Sequence, residues 1–423
     1  MLLCGLRDLR PGMTVGVPVM RIGPESGEFL PVGAVLDAGA IAEMKQAGIG
    51  SAWINHPATA DLDEAPLWGL DQTLHDLTDR LHNEFCAPFN PRMSATQALE
   101  IRTEVISLVC EIVSQRRFIR PVGRRLDPEY RIFEHALNVA VLSLFIGIEV
   151  EAYIVRERPR LSATEARDMV SLAFGAVFHD VGKAGLPAAV QAHHGVYEVI
   201  RGKDRPSKYE EHTNLGYDVL RETGIAASAR QVVLNHHQRF DGGGWPNMAP
   251  LTNGRHRGPQ AGHEIHIFSR IVAVADALDA LMMDESGRPR PVVAAMRDLA
   301  DERLEPWFDP VVREVALRRL PVFPIGSLVR TSDGRFGAVV RRNSLQPCRP
   351  ALRMLDMDCR HWDIHPVADQ CETVDLAYRP DLHIVRCAGE QVEHYLFDLP
   401  AASPRQRADD ADSRIGVHFP QSA

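Results

Sequence analysis

Phe178-His179-Asp180-Val181-Gly182-Lys183 is the stretch on which the reading of this sequence turns. The apolar run from Ser171 to Val177 has the composition of a buried helix. It leads straight into a His-Asp pair, and Gly182 and Lys183 then break the pattern. Adjacent His and Asp at the end of a buried helix can serve metal from two directions. The imidazole nitrogen grips one ion, and the carboxylate can bridge two. A lone His-Asp pair is common and usually belongs to a surface or a cap. Its meaning depends on whether other His and Asp residues hold core-facing positions.

Working outward, several do. Between Arg131 and Val150, His135, Asn138, Val139, Leu142 and Ile146 recur at one helical face. A His on such a stripe is ordinarily a satisfied core residue, so His135 counts only in company. Ser162-Ala163-Thr164-Glu165 has the form of a capping box and is expected to start the helix that ends at His179-Asp180. Asp180 continues the apolar face of Met169, Val170, Ala173, Ala176 and Val177, where an unpartnered carboxylate is costly and metal would satisfy it. Ser207-Lys208-Tyr209-Glu210 is a second capping box, leading a helix with His212, Leu215, Gly216, Val219 and Leu220 on one face and an end near Gly224. A helix over Gln231–His237 runs into His236-His237-Gln238-Arg239-Phe240-Asp241-Gly242-Gly243-Gly244-Trp245-Pro246. Adjacent helical side chains diverge by about 100°, so this His pair can reach two ions or two sides of one. The glycines admit close approach of backbone and ligand. Finally, Gln260–Met283 is a long apolar helix interrupted by Asp276, while His263 and His266 fall in its more polar first turns and read as structural.

The candidate set is therefore His135, His179, Asp180, His212, His236, His237 and Asp276, from five helical segments. His and carboxylate without Cys suit iron, manganese or zinc in hydrolytic chemistry better than structural zinc. The set suffices for two divalent ions with Asp180 as the bridge. A dinuclear site activates water and stabilises the attacking and leaving oxygens of an in-line displacement. That points to phosphoester hydrolysis, with Lys183 placed to neutralise a phosphate oxygen.

The chain as a whole fits a multidomain globular protein. Its 423 residues call for two or three domains, and 45% hydrophobic residues supply a sizeable core. A net charge of -9 argues against a general nucleic-acid or anionic-membrane binder. No long uncharged apolar run signals a membrane span, and the start acquires charge too early for a secretory leader. Seven Cys without a CxxC pair fit reduced thiols in the cytoplasm. The N-terminal block reads as a small α/β module: a strand over Leu6–Val19 around a Pro11-Gly12 turn, a short strand Gly33–Leu36, a helix Ala40–Ala47 closed by Gly48, and a strand Ser51–Ile54. Helices are expected over Leu67–Phe85 and Ala95–Gln115. The basic run Arg116–Arg125 reads as a solvated face, and His193-His194 as surface. Beyond Pro324, alternating runs flank Ser332-Asp333-Gly334 as in a β-hairpin, with further strands to about Tyr378. Cys359, His361 and His365 lack the spacing of a zinc site. The expected division is 1–92 α/β module and linker, 93–320 helical domain, 321–400 β module and 401–423 disordered tail.

His179-Asp180-Val181-Gly182-Lys183 together with His236-His237 and the Asp241-Gly242-Gly243-Gly244-Trp245-Pro246 turn resembles the HD-GYP family of HD-superfamily phosphodiesterases, over roughly Ala95–Leu320. The resemblance implies a mainly α protein, with an all-helical HD domain between the small N-terminal α/β module and the small C-terminal β module. It implies hydrolysis of cyclic di-GMP to pGpG or GMP by a dinuclear metal-activated hydroxide, with iron or manganese as the ions. It assigns His135, His179, Asp180, His212, His236, His237 and Asp276 as ligands, and Asp180 and Lys183 as catalytic. Arg288 and Arg290 stand near the place of the family's Arg-Pro-Tyr-Arg and are candidate phosphate clamps. Trp245 replaces the motif's Tyr, keeping an aromatic face for substrate and losing the hydroxyl. Arg131 stands where trinuclear members have a carboxylate, so two ions are expected. The Gly-rich loop and the N-terminal module are candidate surfaces for signalling partners, and a homodimer is compatible with the sequence. The competing readings are a catalytically weak signalling module and an HD hydrolase of another nucleotide.

Overall fold

The structure is a computed structural model of the chain and describes residues 1–21, 27–62, 68–85, 93–115, 131–187, 190, 208–247, 258–284, 288–356 and 368–401. The basic run 116–125, His193-His194, the 359–365 cluster and the 402–423 tail lie outside the described residues.

Helices dominate the centre: α1 (Ala38–Gln46), α2 (Trp68–Phe85), α3 (Ala95–Gln115), α4 (Arg131–Glu149), α5 (Glu151–Glu157), α6 (Ala163–Ala166), α7 (Met169–Phe178), α8 (Glu211–Leu220), α9 (Ala227–Asn235), α10 (Ile267–Leu281), α11 (Val292–Leu299) and α12 (Pro310–Arg319). In α7 every residue from Ser171 to Phe178 is buried, as is every residue of α10 from Ile267 to Asp279. A helix apolar on all sides must be surrounded. α7 accordingly packs against α3, α4 and α9, and α10 against α4, α9 and α11. These central helices deliver His179, Asp180 and Asp276 to the interior. The Ile132–Glu149 stretch of α4 is long and apolar enough to cross a membrane by length and composition, but 78% of it is buried within the fold.

The expected helix from Ser162 to Asp180 is two helices. The Ser162–Glu165 capping box is present, but the turn it starts ends at Ala166, and Asp168 caps α7 afresh by accepting from the Ser171 amide at 2.9 Å. A second good cap two residues past the end of α6 outcompetes continuation. The second capping box lies partly outside the described residues, since Ser207 is not among them; α8 starts after Glu210, and Lys208 is left-handed at φ 75. Helix α9 starts earlier than the sequence suggests, at Ala227, and leaves His236 as its C-cap. His266 caps α10 by accepting from the Phe268 amide, which shortens the expected Gln260–Met283 helix at its start.

The terminal modules are β1 (Leu2–Gly5), β2 (Val19–Arg21), β3 (Gly27–Leu30) and β4 (Ser51–Ile54), then β5 (Leu328–Thr331), β6 (Phe336–Arg341), β7 (Ala351–Leu355), β8 (Thr373–Asp375), β9 (Ile384–Cys387) and β10 (Glu390–Gln391). The last six form one antiparallel sheet in the order β10-β9-β5-β6-β7-β8, with the expected hairpin at β5–β6. Leu6–Val19 is not a strand: Thr14 and Val15 make only isolated bridges, and the preceding residues Leu2–Gly5 pair with β4 instead. Gly33–Leu36 likewise contributes only the bridge at Val35, whereas α1 ends as expected, with Gly48 at φ 72. Far apart in sequence, the two modules share a core. Side chains on successive sheet residues point to opposite faces: Leu328, Ala338 and Leu355 pack on the N-terminal module, while Val329, Val339 and Leu352 join the helical core. Arg353 ties the layers through Asp61.

Candidate metal centre

Five helical segments converge on Asp180. His135 comes from α4, His212 from the first turn of α8, His236 and His237 from the end of α9, and Asp276 from α10. His179 is the C-cap of α7, and Asp180 opens the single 3-10 turn Val181–Gly185 that carries Lys183. Gly182 makes the junction with α8: a Cβ there would run into the His212 carbonyl oxygen and would lie 2.6 Å from the Gly216 nitrogen.

The rings are aimed by their outer nitrogens. Nδ1 of His179 donates to the Ala176 carbonyl at 2.7 Å, that of His212 to Tyr209 at 2.5 Å and that of His236 to Val233 at 3.0 Å. A carbonyl only accepts, so Nδ1 carries the proton and the lone pair of Nε2 faces inward. From these three rings Nε2 lies 3.3, 3.4 and 3.7 Å from an Asp180 oxygen. His135 is oriented by a carboxylate: its Nδ1 is 2.6 Å from Asp279, and its Nε2 is 3.1 Å from Asp276 and 3.6 Å from Asp180. His237 stacks on Trp245, ring centroids 4.5 Å apart at 27°.

The donor atoms fit metal. They form three groupings within ligand distance: Asp180 with His212, His236 and His237; His135 with His179 and Asp180; His179 with His236 and Asp276. Asp180 belongs to the first two. His179 Nε2, Asp180 Oδ1 and both nitrogens of His237 are buried without a hydrogen-bond partner, a costly arrangement that divalent ions would satisfy.

Electrostatics prepare most of the rings as neutral ligands. Burial pushes His212 down to about 3 and lowers His236, while burial and the neighbouring imidazoles take His237 well below the usual range. His135 goes the other way: burial works against its charge, but Asp276 and Asp279 outweigh that and raise it to about 9. Burial opposes the charge on Asp180, yet the Lys183 ammonium holds its carboxyl well below the ordinary value. Lys183 Nζ donates to Asp180 Oδ2 at 2.5 Å, and the Asp180 charge keeps the ammonium protonated despite burial.

All seven expected ligands are thus brought together, with Lys183 and Trp245 beside them. Arg288 and Arg290 make other contacts. Arg290 donates to the Leu281 carbonyl at the end of α10 and to Asp298. Arg288 is an exposed side chain paired with Asp284. The Met283–Pro289 bridge and the 2.7 Å bond from Arg290 N to the Met282 carbonyl fold this segment back on the helix end. Two residues escaped the sequence reading. Asp279 lies one turn after Asp276, and that spacing was the available signal. Tyr209 lies one turn before His212, fully buried, with Lys183 Nζ 5.2 Å from its ring centroid and His212 at 4.8 Å.

A helical core that buries this His and Asp constellation defines a metal-binding domain of the HD type, and residues 150–312 match the family model described as HD domain. Curated relatives match part of the chain. The chain is 30% identical over 137 residues to the cyclic di-GMP phosphodiesterase of Thermotoga maritima, covering 31% of this chain and 32% of that protein. It is 31% identical to the cyclic di-GMP phosphodiesterase response regulator RpfG of Xanthomonas campestris, over 33% of this chain and 32% of that protein. It is 28% identical to the 3'3'-cGAMP-specific phosphodiesterase 2 of Vibrio cholerae, over 36% of this chain and 23% of that protein. The chain therefore spans a third or less of the length of these relatives. Its likeness to them lies in the part of the chain that holds the HD domain match.

Proposed function

We propose that the chain is a metal-dependent phosphodiesterase that hydrolyses cyclic di-GMP to pGpG or GMP at a centre of two divalent ions, iron or manganese. The observation that carries this reading is that two of the three groupings of one buried ligand set share Asp180. His212, His236 and His237 would hold one ion and His135, His179 and Asp276 the other, with Asp180 common to both. Ions held there supply Lewis acidity and an acidified water for attack on phosphorus.

The protein's own groups do the rest. The backbone carbonyls of Ala176, Tyr209 and Val233 fix three imidazole tautomers before any ligand arrives. Lys183 holds a full positive charge beside Asp180, where a phosphate oxygen would sit. Trp245 offers an aromatic face continuous with His237. The free cysteines among the described residues fit a cytoplasmic setting. The test is turnover of cyclic di-GMP by protein loaded anaerobically with ferrous iron or Mn, with 3'3'-cGAMP in parallel. Release of pGpG or GMP, abolished in Asp180→Asn, supports the reading. No turnover by the fully loaded protein, or turnover of 3'3'-cGAMP alone, overturns it.

A further inference from the structure

A second concavity lies between the helical domain and the C-terminal sheet. It is a cleft of about 330 Å3 walled by the last turns of α4 and α12 and by the β6–β7 connection. It shares no residue with the His and Asp cluster. His135 and Glu149 stand at opposite ends of α4, about 21 Å apart at 1.5 Å per residue.

The lining has two characters. Val322, Phe323 and Pro350 give an apolar wall. Four guanidinium groups line it as well, three of them paired with a carboxylate, Arg319 with Glu149 at 3.4 Å among them, which leaves Arg342 as the charge the rim does not balance. Their commitments differ. Arg318 is spent on Glu314 and on the carbonyls of Ser344, Leu345 and Pro400. Arg341 is largely exposed and gives one Nη to Asp375 at 2.7 Å. Arg342 gives only Nη1, at 2.8 Å, to the Arg319 carbonyl at the end of α12. Capping that helix needs one N–H, and a guanidinium has five, in a fork that matches phosphate. An exposed arginine pinned at one nitrogen is oriented and still has donors to offer.

We infer that this cleft binds a phosphate monoester carried on a compact aromatic or apolar body, a mononucleotide in size and chemistry. The arginine rim takes the phosphate, and the Val322–Phe323–Pro350 wall takes the body. The volume stands at the small end of the roughly 300–1,000 Å3 of ligand pockets, which suits one nucleotide and not two. The site is independent of the reaction proposed above.

The test is calorimetric titration of the metal-loaded 423-residue chain with GMP, guanosine and inorganic phosphate. GMP is expected to bind at least tenfold more tightly than either fragment. Arg342→Glu is expected to weaken GMP at least tenfold with metal content unchanged, and Arg342→Lys to weaken it less. Should Arg342→Glu lose its cooperative melt, Arg341→Glu on the exposed strand end carries the test, with at least a threefold loss expected. Absence of GMP binding, binding unmoved by the folded charge reversal, or inorganic phosphate binding as tightly as GMP overturns the inference. Because the readout is binding and not turnover, an inactive protein leaves it intact.

Discussion

Asp279 and His135 are 144 residues apart in sequence, and their side chains meet at 2.6 Å. Asp279 is one turn beyond Asp276 on α10, so one helix face supplies both a ligand candidate and the carboxylate that aims its neighbour. Carboxylate partners of ligating His raise ligand basicity and fix ring orientation, and their loss typically costs about 10–100-fold in metal affinity or activity. Asp279→Asn is expected to lower metal affinity by that order, measured by metal content after dialysis against graded chelator. Metal retention equal to the wild type, in a protein with an unchanged melt, would show that Asp279 serves packing alone.

Metal removal should be felt by the whole fold. Four buried ligand atoms lack hydrogen-bond partners, so binding to the folded chain alone is worth about 2.7 kcal/mol at a hundredfold excess over Kd. Chelation is expected to lower the thermal midpoint by several degrees and re-addition of Mn to restore it. A midpoint indifferent to chelation would mean that the cluster is stable without ions.

Much of this was legible in the sequence. His135, His212 and Asp276 were found because helical periodicity marks core-facing positions, and a polar residue on a core face needs a partner. Helices α2, α3 and α4 matched for the same reason. What periodicity does not encode is competition between local caps: Asp168, not Ser162, starts α7. Nor does it encode long-range pairing. Leu2–Gly5 becomes a strand because β4 lies beside it, and the shared core of the two terminal modules follows from a sheet with two apolar faces. Arg288 and Arg290 were placed by motif position, and the structure spends Arg290 on the end of α10.

Trp245 does more than replace a Tyr. Its stacking on His237 fixes a ring that no backbone carbonyl holds, since both of its nitrogens lack hydrogen-bond partners. Trp245→Ala removes a nearly buried side chain, with about 3 kcal/mol of stability expected to be lost, and frees that ring. Trp245→Tyr keeps a stacking face and is expected to retain metal within threefold of the wild type. Equal metal loss in the two variants would exclude stacking as the cause.

Acid stability should depend on a network away from the cluster. Arg270 of α10 reaches Glu157 at 2.6 Å, and Tyr153 and Asp309 as well. Burial raises the Glu157 carboxyl, but Arg270 and His263 outweigh it and lower it below its usual 4.5. A depressed carboxylate adds stability above its unfolded value and loses it as pH falls through the folded one. Glu157→Gln is therefore expected to lower the melting midpoint at pH 7 and to flatten its decline below pH 4.5. A parallel decline in both proteins would remove Glu157 from the account.

Gly182 offers the sharpest test of how the centre is assembled. A Cβ at this position meets the His212 carbonyl oxygen, and the Gly216 nitrogen is 2.6 Å away. Both are backbone atoms of α8, which no rotamer change can move aside. Gly182→Ala must push α8 away from the turn that carries Asp180 and Lys183. His212 Nε2, now 3.4 Å from Asp180, would retreat with it. Crowding of this kind costs about 1–3 kcal/mol, so the variant is expected to fold with a lowered midpoint. The ions that depend on His212 should be held weakly while those on the His135 side are less affected. Metal titration of Gly182→Ala should then separate into a tight and a weak phase where the wild type shows tight binding throughout. A variant that binds metal like the wild type would mean that α8 and the His-Asp turn are not held together by this contact.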